Sequence, residues 1–487
     1  MNSKRCVVLI ALAAIFTLSS CSGVKNKCTD CNVPGQANLT LTLTDTPPAG
    51  VLFLNFNLPV SAISLTPSGG GADISLLSTP TTYEMTHLQS DSAIVGTTQV
   101  ATGTYTSLNI FVTNSPSSVF FNGSANALGP CAALRICNLS GGAPGKIAID
   151  LTKVFGGSGL VLTDNENLGI NVDFSLNNAI TSTNGITLDL TQANVLTASA
   201  LPRINQNPGT LDTIQGITGT VTAVTSSSLT VKSPSKGSFL FGLSSTTAYT
   251  EVPALPQCNG APSQSCIQVG SIVSVDADVA PNGTLPASVV DIIDVTGGID
   301  EVEGVIYPTA TAGVFGMIVS DTAVPSGNAT LTALGPGSAI YFTMSTSPTP
   351  LFTIDVKNLP VPSSAGFAGS GDLQSGQQVR LQVASVGTFN NVPEITASTA
   401  VLRFGTISGT VGVNTPTSTA FTLDNASLNP FYGNFLTQVQ VQAYSPQTIV
   451  DNVTGISNLT AGNSVSISTL FLNNVTPPFQ ITKVRKH

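Results

Sequence analysis

Two histidines, eight cysteines and 25 carboxylates are the side chains from which this 487-residue chain could build chemistry. His487 ends the chain, which leaves His87, in "TYEMTHL", as the internal imidazole able to act as a general base. The alternation around it predicts a strand and a structural histidine. A serine triad also needs an exposed nucleophile, commonly in G-x-S-x-G, and that motif does not occur. "GGAPGKIA" (Gly141 to Ala148) lacks both the first glycine at the spacing of a phosphate loop and the Ser or Thr after the lysine. Two carboxylates can suffice for glycoside hydrolysis. Asp276 and Asp278 share a face of "IVSVDADV", but it is the face opposite Val273, Val275 and Ala277, which predicts a solvated edge. The turns holding Asp164 to Asn167 and Asp300, Glu301 and Glu303 offer hard oxygen ligands for calcium without a full D-x-D-x-D-G loop. With no Trp and seven Tyr, the best aromatic cluster for stacking a glycan is "NPFYGNF" (Asn429 to Phe435), whose predicted role is turn packing. The expectation is therefore no catalytic residue, no metal set and no cofactor.

The cysteines are placed more tellingly. Lys4 and Arg5 lead a thirteen-residue apolar run, Cys6 to Leu18. That is shorter than the ~20 residues of a membrane-spanning helix and predicts a secretory signal over residues 1–20. Leu18-Ser19-Ser20-Cys21 resembles the lipobox of bacterial lipoproteins. The resemblance implies a diacylglycerol on the Cys21 thiol, cleavage just before it, and contact with the membrane through that lipid. An ordinary signal ending near a cysteine is the alternative. Ser22, in place of an aspartate, leans towards the outer membrane, at its periplasmic face or the cell surface. Residues 21–37 then form a lipidated, flexible tether. Six further cysteines fall in three close pairs, in a compartment that permits disulfides. Cys131 with Cys137, and Cys258 with Cys266, are each expected to pin one loop. Cys28 and Cys31 could close only a tight, strained ring. Reading them as a redox pair or half a zinc site lacks a following helix or a second ligand pair.

Only 8% of residues are charged, Gly and Pro number 45 and 30, and no second apolar segment has spanning length. Thr and Val suit a pleated surface, while Gly, Pro and Asn suit turns, so the chain is predicted to be all-β. A net charge of −9 argues against nucleic acid as a partner, which would call for a basic stripe. "NLTLTLTD" alternates Leu39, Leu41 and Leu43 with Thr40, Thr42 and Thr44, predicting a strand with one buried face. With the runs that follow, residues 38–201 predict an antiparallel β-sandwich. "LTLTDTPP", "VSAISLTPSGG", "THLQ" and "VATGTYTSLNIFVTN" give this segment a resemblance to a domain of unknown function at the N-termini of bacterial surface lipoproteins. It implies an envelope protein and transfers no catalytic residue.

Residues 202–213 read as a linker, and beyond it the chain repeats itself. "ITGTV" (from Ile217) recurs as "VEGVI" (from Val302) and "ISGTV" (from Ile407). Downstream of each lies a second motif, "IQVGSIVSVDA", "LQSGQQVRLQV" or "LTAGNSVSIST", whose glycine (Gly270, Gly376, Gly462) precedes an alternating strand at a turn needing positive φ. Residues 214–298, 301–404 and 405–487 are thus expected to be three tandem small β-barrel modules of OB-like type, each nearly independent. They resemble a second uncharacterised family of envelope domains. In the middle module "GNATLTALGPGSAIYFTMSTSPTPLF" reads as an insertion.

The expected function is a lipid-anchored envelope protein with a structural, adhesive or ligand-binding role, its partner a glycan or an envelope protein. The alternatives are an envelope hydrolase using paired carboxylates, which needs a pocket where they converge, and an accessory subunit docking a partner.

Overall fold

The computed structural model describes residues 35–487 apart from 49–50, 78, 114–115, 140, 143–144, 182–185, 203–208, 235, 253–254, 259, 358–365, 425–430, 432–437, 444–448 and 473. Cys21, Cys28 and Cys31, with the signal and most of the tether, lie outside the described residues. No helix among the described residues is long and apolar enough to cross a membrane.

The architecture is all-β. Gln36–Thr46 lies inside a four-stranded sheet, between Ala93–Ala101 and Asn167–Ser175, with Leu196–Leu201 beyond. An eight-stranded sheet built on Val51–Pro67, Gly103–Val112 and Ser117–Asn122 packs against it. Leu39, Leu41 and Leu43 enter one apolar core with Phe56, Leu65, Leu108 and Phe174. Two features depart from a simple antiparallel sandwich with one wet face. Gln36–Thr46 pairs with Asn167–Ser175 in parallel. The threonine face is closed as well, because Thr40 bonds Thr97 (2.9 Å), Thr42 bonds Asn171 (3.0 Å) and Thr44 bonds Asp173 (2.9 Å). A buried hydroxyl without a partner is costly, so these cross-strand bonds allow that face to be covered.

Three six-stranded sheets follow, all with one strand order. The first comprises Asp212–Val224, Ser228–Ser233, Gly237–Gly242, Ile272–Val279 and Leu285–Asp294, with Ala248–Glu251 alongside. The second comprises Glu301–Tyr307, Phe315–Ala323, Ala339–Met344, Gln378–Phe389 and Val392–Arg403, with Leu351–Ile354 alongside. The third comprises Gly405–Val411, Ala420–Asp424, Gln438–Ala443, Ser464–Phe471 and Phe479–Lys486, with Ile449–Asp451 alongside. In each the opening strand lies between the second and the one after the motif glycine, and the last strand returns to pair in parallel with the third. That closure is the strand order of an OB-type barrel.

Both repeated motifs have a mechanical reason. Gly270, Gly376 and Gly462 have φ of +98°, +88° and +84°, in the region that favours glycine. Their amides donate to Val221, Ile306 and Val411 at 2.8, 2.9 and 2.8 Å, tying the turn to the opening strand. Gly219, Gly304 and Gly409 serve another purpose. A Cβ there would meet the carbonyl oxygens of Lys232, Ile318 and Asp424 at 2.3, 2.2 and 2.6 Å. The second strand crosses the opening one at a distance only glycine permits. Gly304→Ala is expected to lower stability by about 2–3 kcal/mol, read as an earlier urea midpoint by circular dichroism. A midpoint equal to wild type would refute this role.

The segment expected as an insertion in the middle module is mostly barrel wall. Ala339–Met344 and Leu351–Ile354 occupy the places of Gly237–Gly242 and Ala248–Glu251 in the first barrel, and the helical turn Ala329–Thr332 is what the first barrel lacks. The Cys131–Cys137 disulfide forms within its loop. The bridge expected between Cys258 and Cys266 does not form here. Each cysteine ends its own 3₁₀ turn, and Cys266 Sγ faces Ser263 Oγ and Ala261 O, each at 3.9 Å, instead of closing a bond. Desolvation and then the adjacent Cys266 push the Cys258 thiol up to about 12.

Candidate functional site

The sandwich and the barrels meet around one turn of the sandwich. Thr81–Glu84 is a strand, but it stops short of His87, which the 3₁₀ turn Thr86–Gln89 carries instead. The cause is Glu84, whose carboxylate accepts from the amides of Phe56 (2.9 Å) and Thr86 (3.2 Å) and from Thr86 Oγ1 (2.8 Å). The chain folds back over that anion, and His87 Nε2 comes to 3.9 Å from Glu84 Oε2.

Two chambers adjoin this turn. A polar one of about 80 Å³ reaches Gly216, Glu303, Lys357 and Arg403, so it touches the sandwich and the first two barrels, and Thr406 and Ser468 add the third. A larger one of about 220 Å³ is mainly apolar, against Leu88, Ile94, Ile217 and Phe239. Glu84, His87, Asp91 and Lys236 line both.

Many of the charges around the polar chamber are paired across module boundaries. Arg403, on the last strand of the second barrel, donates to Asp291 at 3.0 Å and to Ser274 Oγ at 2.9 Å, both on the first barrel. It also contacts Asp355 and Glu303 of its own barrel. Lys357 of the second barrel reaches both carboxylate oxygens of Asp276 at 2.8 Å. Arg380, fully buried, lies 3.5 Å from Glu301 and donates to the Val252 carbonyl of the first barrel at 3.2 Å. In the third barrel Arg485 donates to Asp451 at 3.2 Å, to the Leu88 carbonyl at 2.9 Å and to Ser92 Oγ at 2.9 Å, reaching the sandwich. Lys483 lies 3.5 Å from Asp451 and 3.6 Å from Asp91, and donates to Thr213 of the first barrel at 2.8 Å. The two cationic sites are built alike. Asp451 is paired with Arg485 across the parallel strands, and Asp355 stands one residue past the pair Ile354↔Leu402, opposite Arg403.

Burial and crowding set the protonation of these groups. Desolvation, then the charge of Asp355, push Asp291 up to about 7 against the pull of Arg403. Glu303 is held below its usual value because Arg403 and Arg380 outweigh its own desolvation. Asp91 is raised by desolvation, which Lys483 only partly offsets.

These placements change the expectations for several residues. Asp276 is not on a solvated edge; the second barrel covers that face and supplies Lys357. Asp164 accepts the Gly35 amide at 2.6 Å, tying its loop to the start of the first strand, and Glu166 accepts the Thr163 amide at 2.8 Å within its own turn. Asp300 accepts the Ser326 amide at 3.0 Å, while Glu301 and Glu303 face arginines. No group of three potential metal-ligating side chains occurs among the described residues. Of the aromatic cluster at 429–435, Phe431 is described; it is buried, its ring 5.0 Å from Phe121 of the sandwich. Nor are the modules nearly independent, because the third barrel's core includes Leu54, Val119 and Phe121 of the sandwich.

A protein family described as Domain of unknown function (DUF4382) matches residues 36–234. The match takes in the sandwich and runs through the first two strands of the first barrel. No curated protein matches the chain.

Proposed function

We propose that this is a lipid-anchored bacterial cell-envelope protein, held at the outer membrane by lipid on Cys21, with a non-enzymatic binding or scaffold role. On this reading the three barrels are copies of one small envelope module, set on a sandwich whose family match bears no activity in its description. One observation carries the reading. The acids and bases around the central chambers are held by one another across module boundaries, so the groups a hydrolase would need at a substrate act as joints between units. A hydrolase with two carboxylates needs one poised to protonate and one free to attack or to activate water. Asp276 is clamped by Lys357, and Asp291 and Asp355 share Arg403.

The anchor is tested directly. Each buried methylene contributes ~0.8 kcal/mol to attachment, so two or three acyl chains hold a protein firmly. Cys21→Ser is expected to leave the protein unprocessed or to move it from the membrane to the soluble fraction. Wild-type protein that takes up no labelled palmitate in growing cells overturns the proposal.

A further inference from the structure

We infer that the two adjoining chambers form a binding site for a small amphipathic monoanion, its apolar body in the larger chamber and its charged head at Lys236. This rests on the non-enzymatic reading of the same cleft.

The larger chamber fixes the body. An apolar cavity of about 150 Å³ can hold a benzene ring. About 220 Å³ therefore accommodates an apolar group of roughly nine carbons by proportion. Leu88 and Ile94 of the sandwich and Ile217 and Phe239 of the first barrel supply the surface, so the site exists only where the two units meet.

Lys236 fixes the sign of the head. The other charged groups of the shared wall have partners: Glu84 accepts from the Phe56 and Thr86 amides, and Asp91 accepts the Gln215 amide at 2.8 Å with Lys483 at 3.6 Å. Lys357 and Arg403, deeper in the polar chamber, are held by carboxylates. Lys236 differs. Its Nζ makes one long bond, 3.4 Å to the Gly216 carbonyl; its charge is felt by Asp91, but it closes no ion pair with that or any other described residue. An ammonium has three donors, so two remain for a ligand. His87, beside it on the same wall, adds an imidazole edge. A cationic ligand would meet Lys236 directly, and a neutral one would leave that donor pair without a charged acceptor. A medium-chain carboxylate is the simplest molecule that satisfies both chambers.

Isothermal titration of the full-length chain with octanoate, octylamine and 1-octanol tests this. Octanoate is expected to bind with one-to-one stoichiometry, and 1-octanol at least about tenfold more weakly, the ratio one charge-assisted hydrogen bond confers. Octylamine should give no heat above dilution. Lys236→Gln should weaken octanoate about tenfold while leaving 1-octanol unchanged, and Lys236→Arg should restore most of the loss. Lys236 is half exposed and outside the cores, so these variants keep the fold. Absence of octanoate binding, equal binding of octylamine, or an unchanged constant in Lys236→Gln overturns the site. Turnover of p-nitrophenyl octanoate would instead overturn the non-enzymatic reading, and octanoate binding separates the two failures.

Discussion

Replacing Arg403 with alanine is expected to destabilise the protein by about 3–5 kcal/mol, the cost of leaving buried carboxylates without their cation. Arg403 is 4% exposed, and three carboxylates converge on it: Asp291, Asp355 and Glu303. Desolvation opposes its charge, but Asp355, Glu303 and Asp291 together raise its pKa, so it stays a cation throughout. Arg403→Lys should cost less than alanine, because it keeps the charge but loses the planar fork that bridges Asp291 and Ser274 of the neighbouring barrel. Asp355→Asn added to Arg403→Ala should recover part of the loss, since one uncompensated charge is removed. The chain has no tryptophan, so urea unfolding is followed by circular dichroism. An Arg403→Ala midpoint within about 1 kcal/mol of wild type would mean that the seam adds nothing beyond an exposed ion pair.

Asp291→Asn should behave in the opposite way and reveal itself through pH. Burial and the nearby Asp355 push the Asp291 carboxyl up to about 7 in the folded state. An unfolded chain binds the same proton only near pH 3.9. Between those values the folded state holds more protons, so this group's contribution to stability falls as pH rises from about 4 to about 7 and is flat above. Asparagine accepts the Arg403 bond through its carboxamide oxygen and carries no charge at any pH. The variant should therefore gain on wild type as pH is raised, melting several degrees higher at pH 8 and close to it at pH 4.5. A melting-temperature difference constant across that range would show that Asp291 does not titrate in this window.

The strands and their turns could be read in advance because each barrel carries its own signals. Val273, Val275 and Ala277 alternate inward as their spacing requires, and Gly270 takes the positive φ its turn needs. What could not be read was the surface each barrel shows its neighbour. Asp276 on an otherwise valine-rich strand looks solvated when that barrel is considered alone; only a second barrel laid on it makes the position interior. A clue was present. In a chain with 8% charged residues, Arg380 in "VRLQV", Arg403 in "VLRF" and Lys483 and Arg485 in "KVRK" all interrupt strands rather than loops. A charge within a strand that should be half buried implies an opposite charge facing it. Which charge faces which depended on docking. The same holds for Lys236, which lines both chambers and forms no ion pair among the described residues. The middle barrel's third strand was missed because a helical turn precedes "SAIYFTM" and breaks the spacing seen in the first barrel.

The last strand also has a bearing on how the protein comes to be made. Arg485 grips the Leu88 carbonyl, 397 residues earlier in the chain, and His487 lies 3.4 Å from Thr46. The sandwich therefore emerges during synthesis with its docking turn bare, and it stays bare until Arg485 has also left the ribosome. Contacts of such long separation form late and slowly. In the interval Phe121 and Val119, later covered by the third barrel, are open to other chains, the condition in which partly folded multidomain proteins associate wrongly. Loss of even the last few residues would leave every strand of the sandwich present and its ring of neighbours unclosed. A chaperone escorting the chain would have its longest engagement with this one surface.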